Sequence, residues 1–430
     1  WPEMSPTEPG RLLYKALQKI IENKERLAEI ESRDNGQPIN ETTMISLNSC
    51  INVLEFYAGI TNKLQGDTLS SPRDRLNFTL KEPIGVCAGI VPWNFPLIMA
   101  IRKIAPALAA GNTVVLKPAE DTPISALELA KLFQEAGFPD GVINVVPGMG
   151  EIAGQALASH PGIDKIAFTG STEVGRLIMQ AASKHIKPVS LELGGKSPNI
   201  IFDDANLEDA VNVSLFGIYF NQGQVCQAGS RLFVHEKIYD QFMDLFVSKA
   251  NKIKVGNPLD RETQMGPLIS EKQLKRVQYY VQKGIEEGAK LVIGGERDTN
   301  LPHGYFFRPT IFENVENKMT IAQEEIFGPV LSVIRFKDEE DVLQKANDTI
   351  YGLTAGVWTN DLKRALRMAR GLKAGTVYVN SYGRLDPNGP FGGYKQSGFG
   401  RELGIQAMDM YLNTKHVWID LSENGANWYG

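Results

Sequence analysis

Short runs of β-branched and aliphatic residues alternate along this chain with longer stretches whose apolar positions recur every three or four residues. The runs at 84–91, 113–117, 142–146, 165–168 and 189–193 predict strands, and the stretches at 122–136 and 173–183 predict amphipathic helices between them. Short strands separated by crossover helices pair in parallel, so the pattern predicts an α/β fold. It returns in the second half, with strands at 231–234, 291–293, 330–336, 356–358 and 376–379 and helices at 237–252, 271–287 and 361–370. Between the halves, Gly194-Gly195-Lys196-Ser197-Pro198 interrupts the alternation and marks the expected break between two α/β domains. There is no internal repeat and no low-complexity segment.

Two stretches belong to neither half. Residues 75–82 and 407–421 read as exposed alternating strands. Open strand edges are either covered or used in assembly, so these segments predict homo-oligomerisation, with a surface hairpin inside one monomer as the alternative.

Composition narrows the functional classes. The chain has 430 residues, 43% of them hydrophobic, enough for more than one core. A net charge of -5 with scattered lysines and arginines argues against a nucleic-acid or anionic-membrane surface and toward a small-molecule partner. Cys50, Cys87 and Cys226 are far apart and odd in number, which suggests neither a disulfide framework nor a metal cluster, and fits a reducing compartment. No apolar run reaches the roughly 18 residues that would span a bilayer, and the acidic opening does not read as a signal peptide. The expected location is the cytoplasm.

Cys226 is the first candidate for chemistry. It lies in Phe220-Asn221-Gln222-Gly223-Gln224-Val225-Cys226-Gln227-Ala228-Gly229, where glycines and amides surround the sulfur. A reactive thiol needs such polar neighbours and close backbone approach, although a structural cysteine is equally compatible with this stretch alone. The segment 168–175 runs from a strand straight into a helix; Gly170 permits close approach, Ser171 can cap, and the free N–H groups suit a pyrophosphate or serve an ordinary cap. Lys117 and Glu120 close another strand on the side where ligands of open parallel sheets bind. They could hold ribose hydroxyls between them. A carboxylate there repels a 2′-phosphate, which favours NAD over NADP.

Together with Pro92-Trp93-Asn94-Phe95-Pro96, Leu191-Glu192-Leu193-Gly194-Gly195-Lys196, Glu324-Glu325-Ile326-Phe327-Gly328-Pro329 and Pro390-Phe391-Gly392-Gly393-Tyr394-Lys395, these motifs resemble, in order and over essentially the whole chain, the NAD(P)-dependent aldehyde dehydrogenase superfamily of the hydrolytic, non-acylating type. The resemblance implies a Rossmann-like cofactor domain at 1–65 and 83–194, a catalytic domain at 195–396, and a small β extension for oligomerisation at 66–82 and 407–421. It implies Cys226 as nucleophile, Asn94 with the Cys226 N–H as stabilisers of the developing oxyanion, and Glu192 as the base for the water that hydrolyses a thioester. Lys103 and Glu402 match positions of a proton relay behind that base, or form a surface ion pair. Trp93, Lys117, Glu120, Gly170, Ser171, Leu193, Glu325 and Phe327 are implied as the NAD site, with Glu325 on the nicotinamide ribose and Phe327 bracing the ring. Assembly into a homodimer or homotetramer is implied as well.

The chain departs from the pattern in two places. Relatives acting on simple or cationic aldehydes often carry an aromatic residue where Arg102 stands, and Ile101-Arg102-Lys103 is similar instead to semialdehyde and hydroxyaldehyde dehydrogenases. A guanidinium among Phe95, Leu385 and Phe391 predicts a substrate bearing a carboxylate or hydroxyl and disfavours betaine aldehyde; the alternative is an Arg102 turned to solvent or paired with Asp386. The start at Trp1-Pro2-Glu3 falls well inside the family pattern, so a longer biological chain is expected. Rival readings are a coenzyme-A-acylating relative, against which Glu192 argues, an inactive binding or structural relative, and a cysteine hydrolase, for which His160, His185, His235, His303 and His416 offer no recognisable context.

Overall fold

The computed structural model describes residues 1, 4, 5, 7–423, 428 and 429; Pro2 and Glu3 of the opening segment lie outside them. The chain opens with three helices, α1 (Glu8–Glu22), α2 (Lys24–Asn35) and α3 (Leu47–Ala58). It continues through β1 (Thr68–Leu69), β2 (Arg75–Pro83), β3 (Val86–Ile90), α4 (Pro96–Ala109), β4 (Thr113–Lys117), α5 (Ile124–Glu135), β5 (Ile143–Val145), β6 (Lys165–Thr169), α6 (Thr172–Ser183) and β7 (Val189–Glu192). The second half holds β8 (Pro198–Ile201), α7 (Leu207–Tyr219), β9 (Arg231–His235), α8 (Tyr239–Ala250), α9 (Glu271–Glu286), β10 (Lys290–Ile293), β11 (Thr310–Glu313), β12 (Val330–Phe336), α10 (Glu339–Asn347), β13 (Thr354–Trp358), α11 (Leu362–Gly371) and β14 (Thr376–Val379). A two-residue return, β15 (Gly398–Phe399), and a nine-residue strand, β16 (Leu412–Asp420), complete it.

Three sheets result. A six-stranded sheet has the order β15-β7-β6-β3-β4-β5, a seven-stranded sheet the order β10-β11-β12-β9-β8-β13-β14, and a three-stranded sheet the order β1-β2-β16. The two larger ones are parallel except for the edge strands β15 and β10. The chain changes sheets between Glu192 and Pro198, across the glycine pair. Of the expected elements, the long helices lie within two or three residues of their predicted bounds. Strands β8, β11 and β15 and helices α1, α2, α3, α7 and α10 were not anticipated: β8 starts on the proline that reads as a breaker, and β8 and β11 have only four residues each, too few to show a period.

The stretch at 407–411 is a correction. It forms a helical turn, Gln406–Asp409, whose Ala407 and Met408 are buried, and only from Leu412 does the chain become a strand. β16 pairs antiparallel with β2 along its whole length, within the same chain though not as a hairpin. β16 exposes most of its residues, whereas β2 is mixed, with exposed and half-buried positions and Asn77 buried.

Helix α4 positions the site. Every one of its 14 residues is buried, so it packs on all sides, yet it carries the adjacent cations Arg102 and Lys103. Charged side chains are seldom placed in such a helix without partners. Its first turn has Pro96 at the start and, instead of a capping side chain from its own segment, the Glu31 carboxylate of α2, which accepts the Leu97 N–H at 3.2 Å.

Candidate active site

Four segments converge where the two large sheets meet. Asn94, in the loop between β3 and α4, is buried and donates its amide N–H to the Gln224 carbonyl at 2.8 Å, beside Cys226. The Cys226 carbonyl in turn lies so close over Gly195 that a side chain there would collide with it. Among the described residues, the Cys226 N–H donates to no protein acceptor. One amide hydrogen of Asn94 and this backbone N–H are therefore left available at the half-buried thiol.

The electrostatics favour an unionised sulfur at rest. Burial pushes the Cys226 thiol up to about 12, with Glu325, Glu192 and Glu402 reinforcing that shift and Arg102 opposing it. Nucleophilic attack then needs a base nearby. Glu192, the last residue of β7, is buried with one carboxylate oxygen unpartnered, and burial, followed by repulsion from Glu402, raises it well above the ordinary carboxylate range; Lys103, Arg401 and Arg102 act against the rise. A carboxylate raised in this way is a stronger base than an ordinary one. It does not cap the glycine turn that follows it: the Gly195 N–H goes to Glu325 at 2.9 Å.

Behind Glu192 lies a buried ion pair. Lys103 of α4 contacts Glu402 and donates to the Thr169 hydroxyl at 2.7 Å, and all three residues are buried. The surface-pair alternative for these residues is thereby excluded. Cradled in low dielectric, Lys103 offsets the charge that Glu402 and an ionised Glu192 would otherwise share.

The cofactor candidates form a second group along the strand ends. Lys117, buried at the end of β4, donates to Glu120 at 3.0 Å, while Glu120 is exposed. Ser171 caps α6, accepting the Val174 N–H at 3.2 Å, directly after Gly170. Leu193 is buried against Gly175. Exposed apolar side chains, Met149 and Ile152 on one side and Val174 and Leu177 on α6, flank this end, and sequence reading did not single them out. At the other end Glu325 is pushed up to about 7 by burial. Phe327, in a left-handed conformation (φ 61°), meets Trp93 edge-on with ring centroids 5.2 Å apart. Helix α9 holds this turn, through Gln273 and Arg276 donating to the carbonyls of 325–327.

Arg102 is only 4% exposed. Its guanidinium stands 5.6 Å from the centre of the Phe391 ring and its Nε has no partner. Asp386 is not that partner: it is exposed and accepts instead from Asn388. Both bland readings of Arg102, solvent and Asp386, therefore fail. Phe95, buried and stacked on Phe220 with centroids 5.6 Å apart, and the half-buried Leu385 supply apolar walls. Among the described residues, no cluster of histidine, cysteine or acidic side chains is arranged to hold a metal, and no helix is long and apolar enough to cross a membrane.

The model of the aldehyde dehydrogenase family matches residues 1–417. An aldehyde dehydrogenase of Emericella nidulans is 50% identical over 424 residues, which are 98% of this chain and 85% of the relative. The betaine aldehyde dehydrogenase of Bacillus subtilis is 48% identical over 432 residues, covering 100% of this chain and 88% of its own. The solved NAD+ complex of aldehyde dehydrogenase from Bacillus cereus superposes with a TM-score of 0.97 at 50% identity, over 98% of this chain and 86% of that one. With a thiol, an amide donor and a raised carboxylate gathered between two parallel sheets, and a match along nearly its whole length, this chain belongs to the aldehyde dehydrogenase family.

Proposed function

We propose that this protein oxidises an aldehyde to the carboxylic acid with NAD+, through a thiohemiacetal and then a thioester on Cys226, and that its substrate carries a carboxylate or other oxygen-rich group read by Arg102. The observation that carries the substrate reading is the buried guanidinium with an unpartnered Nε beside the aromatic wall of Phe391. A buried cation without a hydrogen-bonded ion-pair partner among the described residues is costly, and a substrate anion lowers the cost.

The residues at the strand ends fit a dinucleotide. Lys117 and Glu120 offer a donor and an acceptor to ribose hydroxyls, Gly170 and Ser171 open a helix whose N–H groups suit a pyrophosphate, and the exposed Met149, Ile152, Val174 and Leu177 offer an apolar bed. Glu120 disfavours a 2′-phosphate, hence NAD over NADP. Glu325 would hold a further ribose, with Trp93, Leu193 and Phe327 beside the nicotinamide. When bound, NAD+ accepts the hydride.

Every other step falls to the chain. Glu192 takes the thiol proton, the sulfur attacks the carbonyl carbon, and Asn94 with the Cys226 N–H stabilises the oxygen as it gains charge. After hydride loss the thioester carbonyl sits against the same donors. Glu192 then gives up the thiol proton, which the Lys103 charge beside it favours, and in its ionised form takes a proton from water, whose oxygen attacks that carbonyl; as the adduct collapses the acid leaves and Glu192 returns this proton to the Cys226 sulfur. Residues 1–65 and 83–194 bind the dinucleotide and 195–396 carry the nucleophile in this reading. Segments 66–82 and 407–421 assemble the chain into a homodimer or homotetramer in the cytoplasm.

NADH formation at 340 nm with succinate semialdehyde, lactaldehyde and hexanal tests both parts. Cys226→Ala is expected to abolish the signal for all three. Arg102→Leu is expected to raise KM for the two oxygenated aldehydes roughly 10- to 100-fold, the value of a hydrogen bond to a charged group, with hexanal improved or unchanged. A wild-type preference for hexanal would sink the substrate reading.

A further inference from the structure

The two donors assigned above to the oxyanion, the Asn94 side chain and the Cys226 N–H, belong to separate segments of the chain, so something must fix the distance between them. The segments are cross-linked twice, reciprocally. Asn94 donates through its side chain to the backbone of the nucleophile loop at Gln224, and Asn221 of that loop donates through its own side chain to the Asn94 carbonyl at 2.8 Å. Asn221 is 1% exposed and, with Gln222, forms a consecutive left-handed pair (φ 47° and 58°), a conformation unfavourable for non-glycine residues and best tolerated by asparagine. Its backbone N–H is in turn accepted by the Glu41 carboxylate at 3.1 Å, to which Gln37 also donates at 3.3 Å. Glu41 makes no ion pair among the described residues, and burial pushes it up to about 8. Asn35, at the end of α2, gives the Asn94 carbonyl its second hydrogen bond at 3.1 Å.

We infer that Asn221, seated by Glu41, is a positioning residue that sets the spacing of the two oxyanion donors by tying the Asn94 backbone to the nucleophile loop. The inference rests on the reading of Asn94 as an oxyanion donor. Asn221 touches neither substrate nor cofactor; it acts through Asn94, and its removal leaves the Asn94 carbonyl satisfied by Asn35, so the fold has no buried orphan to absorb there.

The experiment is a double-mutant cycle on single-turnover NADH formation, with thermal melting and NAD+ binding measured alongside. Asn221→Gly keeps the left-handed backbone and deletes the side chain. Asn221→Asp keeps the shape and replaces the donor with an acceptor, and serves if the glycine variant is unstable. Each is expected to slow the single turnover about 10- to 100-fold, as misplacement of a charge-stabilising donor does, with NAD+ affinity within about twofold of wild type. Glu41→Gln, which keeps an acceptor, is expected to retain the rate within about threefold. In an Asn94→Ala background, Asn221→Gly is expected to cost less than about threefold more, because its effect is exerted through the missing amide. Full multiplication of the two losses would overturn the positioning role while leaving Asn94 as a donor; an Asn94→Ala variant at the wild-type rate would overturn the reading of Asn94 itself.

Discussion

The candidate reaction centre and the three-stranded ribbon break the ordinary inside-outside rule in opposite directions. At the centre polar groups go in: Asn94, Glu192, Arg102, Lys103 and Glu402 are each at most 6% exposed. In the ribbon apolar groups come out, with Leu76 and Leu80 of β2 each 41% exposed and Trp418 of β16 55% exposed. Each arrangement costs stability in a lone, idle chain, the first through desolvation and the second through hydration of apolar surface. Such costs concentrate where a chain has chemistry or contacts to perform. The two regions also differ in how they are held. The centre is cross-braced by side chain to backbone bonds from α2, α9 and the 221–224 turn, whereas the ribbon rests on the β2–β16 ladder.

The sharpest way to press on the buried side is Glu192→Gln. Steady-state turnover should fall by roughly 10²–10⁴, the contribution of a general base. Because Glu192 also takes the thiol proton in the proposed sequence, the NADH burst should be slowed or lost in stopped-flow traces; a full burst of about one per Cys226 at the wild-type rate would confine the base to the hydrolysis. In the wild type, kcat should climb with pH as Glu192 loses its proton, and the climb should lie above the ordinary carboxylate range because the group is raised.

A smaller effect measures what the centre costs. Burial pushes Glu31 up to about 7 from the ordinary 4.5, and this carboxyl is 0% exposed. The folded chain therefore holds a proton that the unfolded chain releases, so the contribution of Glu31 to stability is complete below pH 4.5, falls as pH rises, and is gone above about 7. Glu31→Gln, always neutral, should gain on wild type by at most about 3 kcal/mol across that window and then level off, visible as a rise of a few degrees in melting temperature at pH 8. An advantage that shrinks with rising pH would show that Glu31 is ionised to a purpose at the start of α4.

The ribbon should yield the smallest change in chemistry. Trp418→Lys is expected to lower the mass of the particle seen by sedimentation at micromolar concentration while leaving kcat per site within about twofold. An unchanged mass would remove the ribbon from assembly and leave its exposed tryptophan without a role.

Much of the centre was legible because its residues sit in compact blocks. Cys226, Glu192 and Asn94 each stand among glycines, prolines or aromatics that have no place in an ordinary helix or strand, and most β-branched runs declared their strands. The supporting residues were not legible. Glu31, Asn35 and Glu41 lie in helical sequence like any other acidic or amide residue, and only the fold reveals that they face Leu97, Asn94 and Asn221. Likewise Gln273 and Arg276 read as the polar face of α9 until that face is seen to hold the Phe327 turn.

By itself, then, the sequence determined which groups could react and the alternation that builds the two parallel sheets, since both depend on residue type and local spacing. The tertiary structure decided their state: that the Cys226 thiol is protonated and Glu192 raised, that Lys103 and Glu402 meet inside rather than on the surface, and that Arg102 is buried facing Phe391 instead of Asp386. The reason is physical. Charge and proton affinity answer to burial and to neighbours brought from hundreds of residues away, and no local pattern records either.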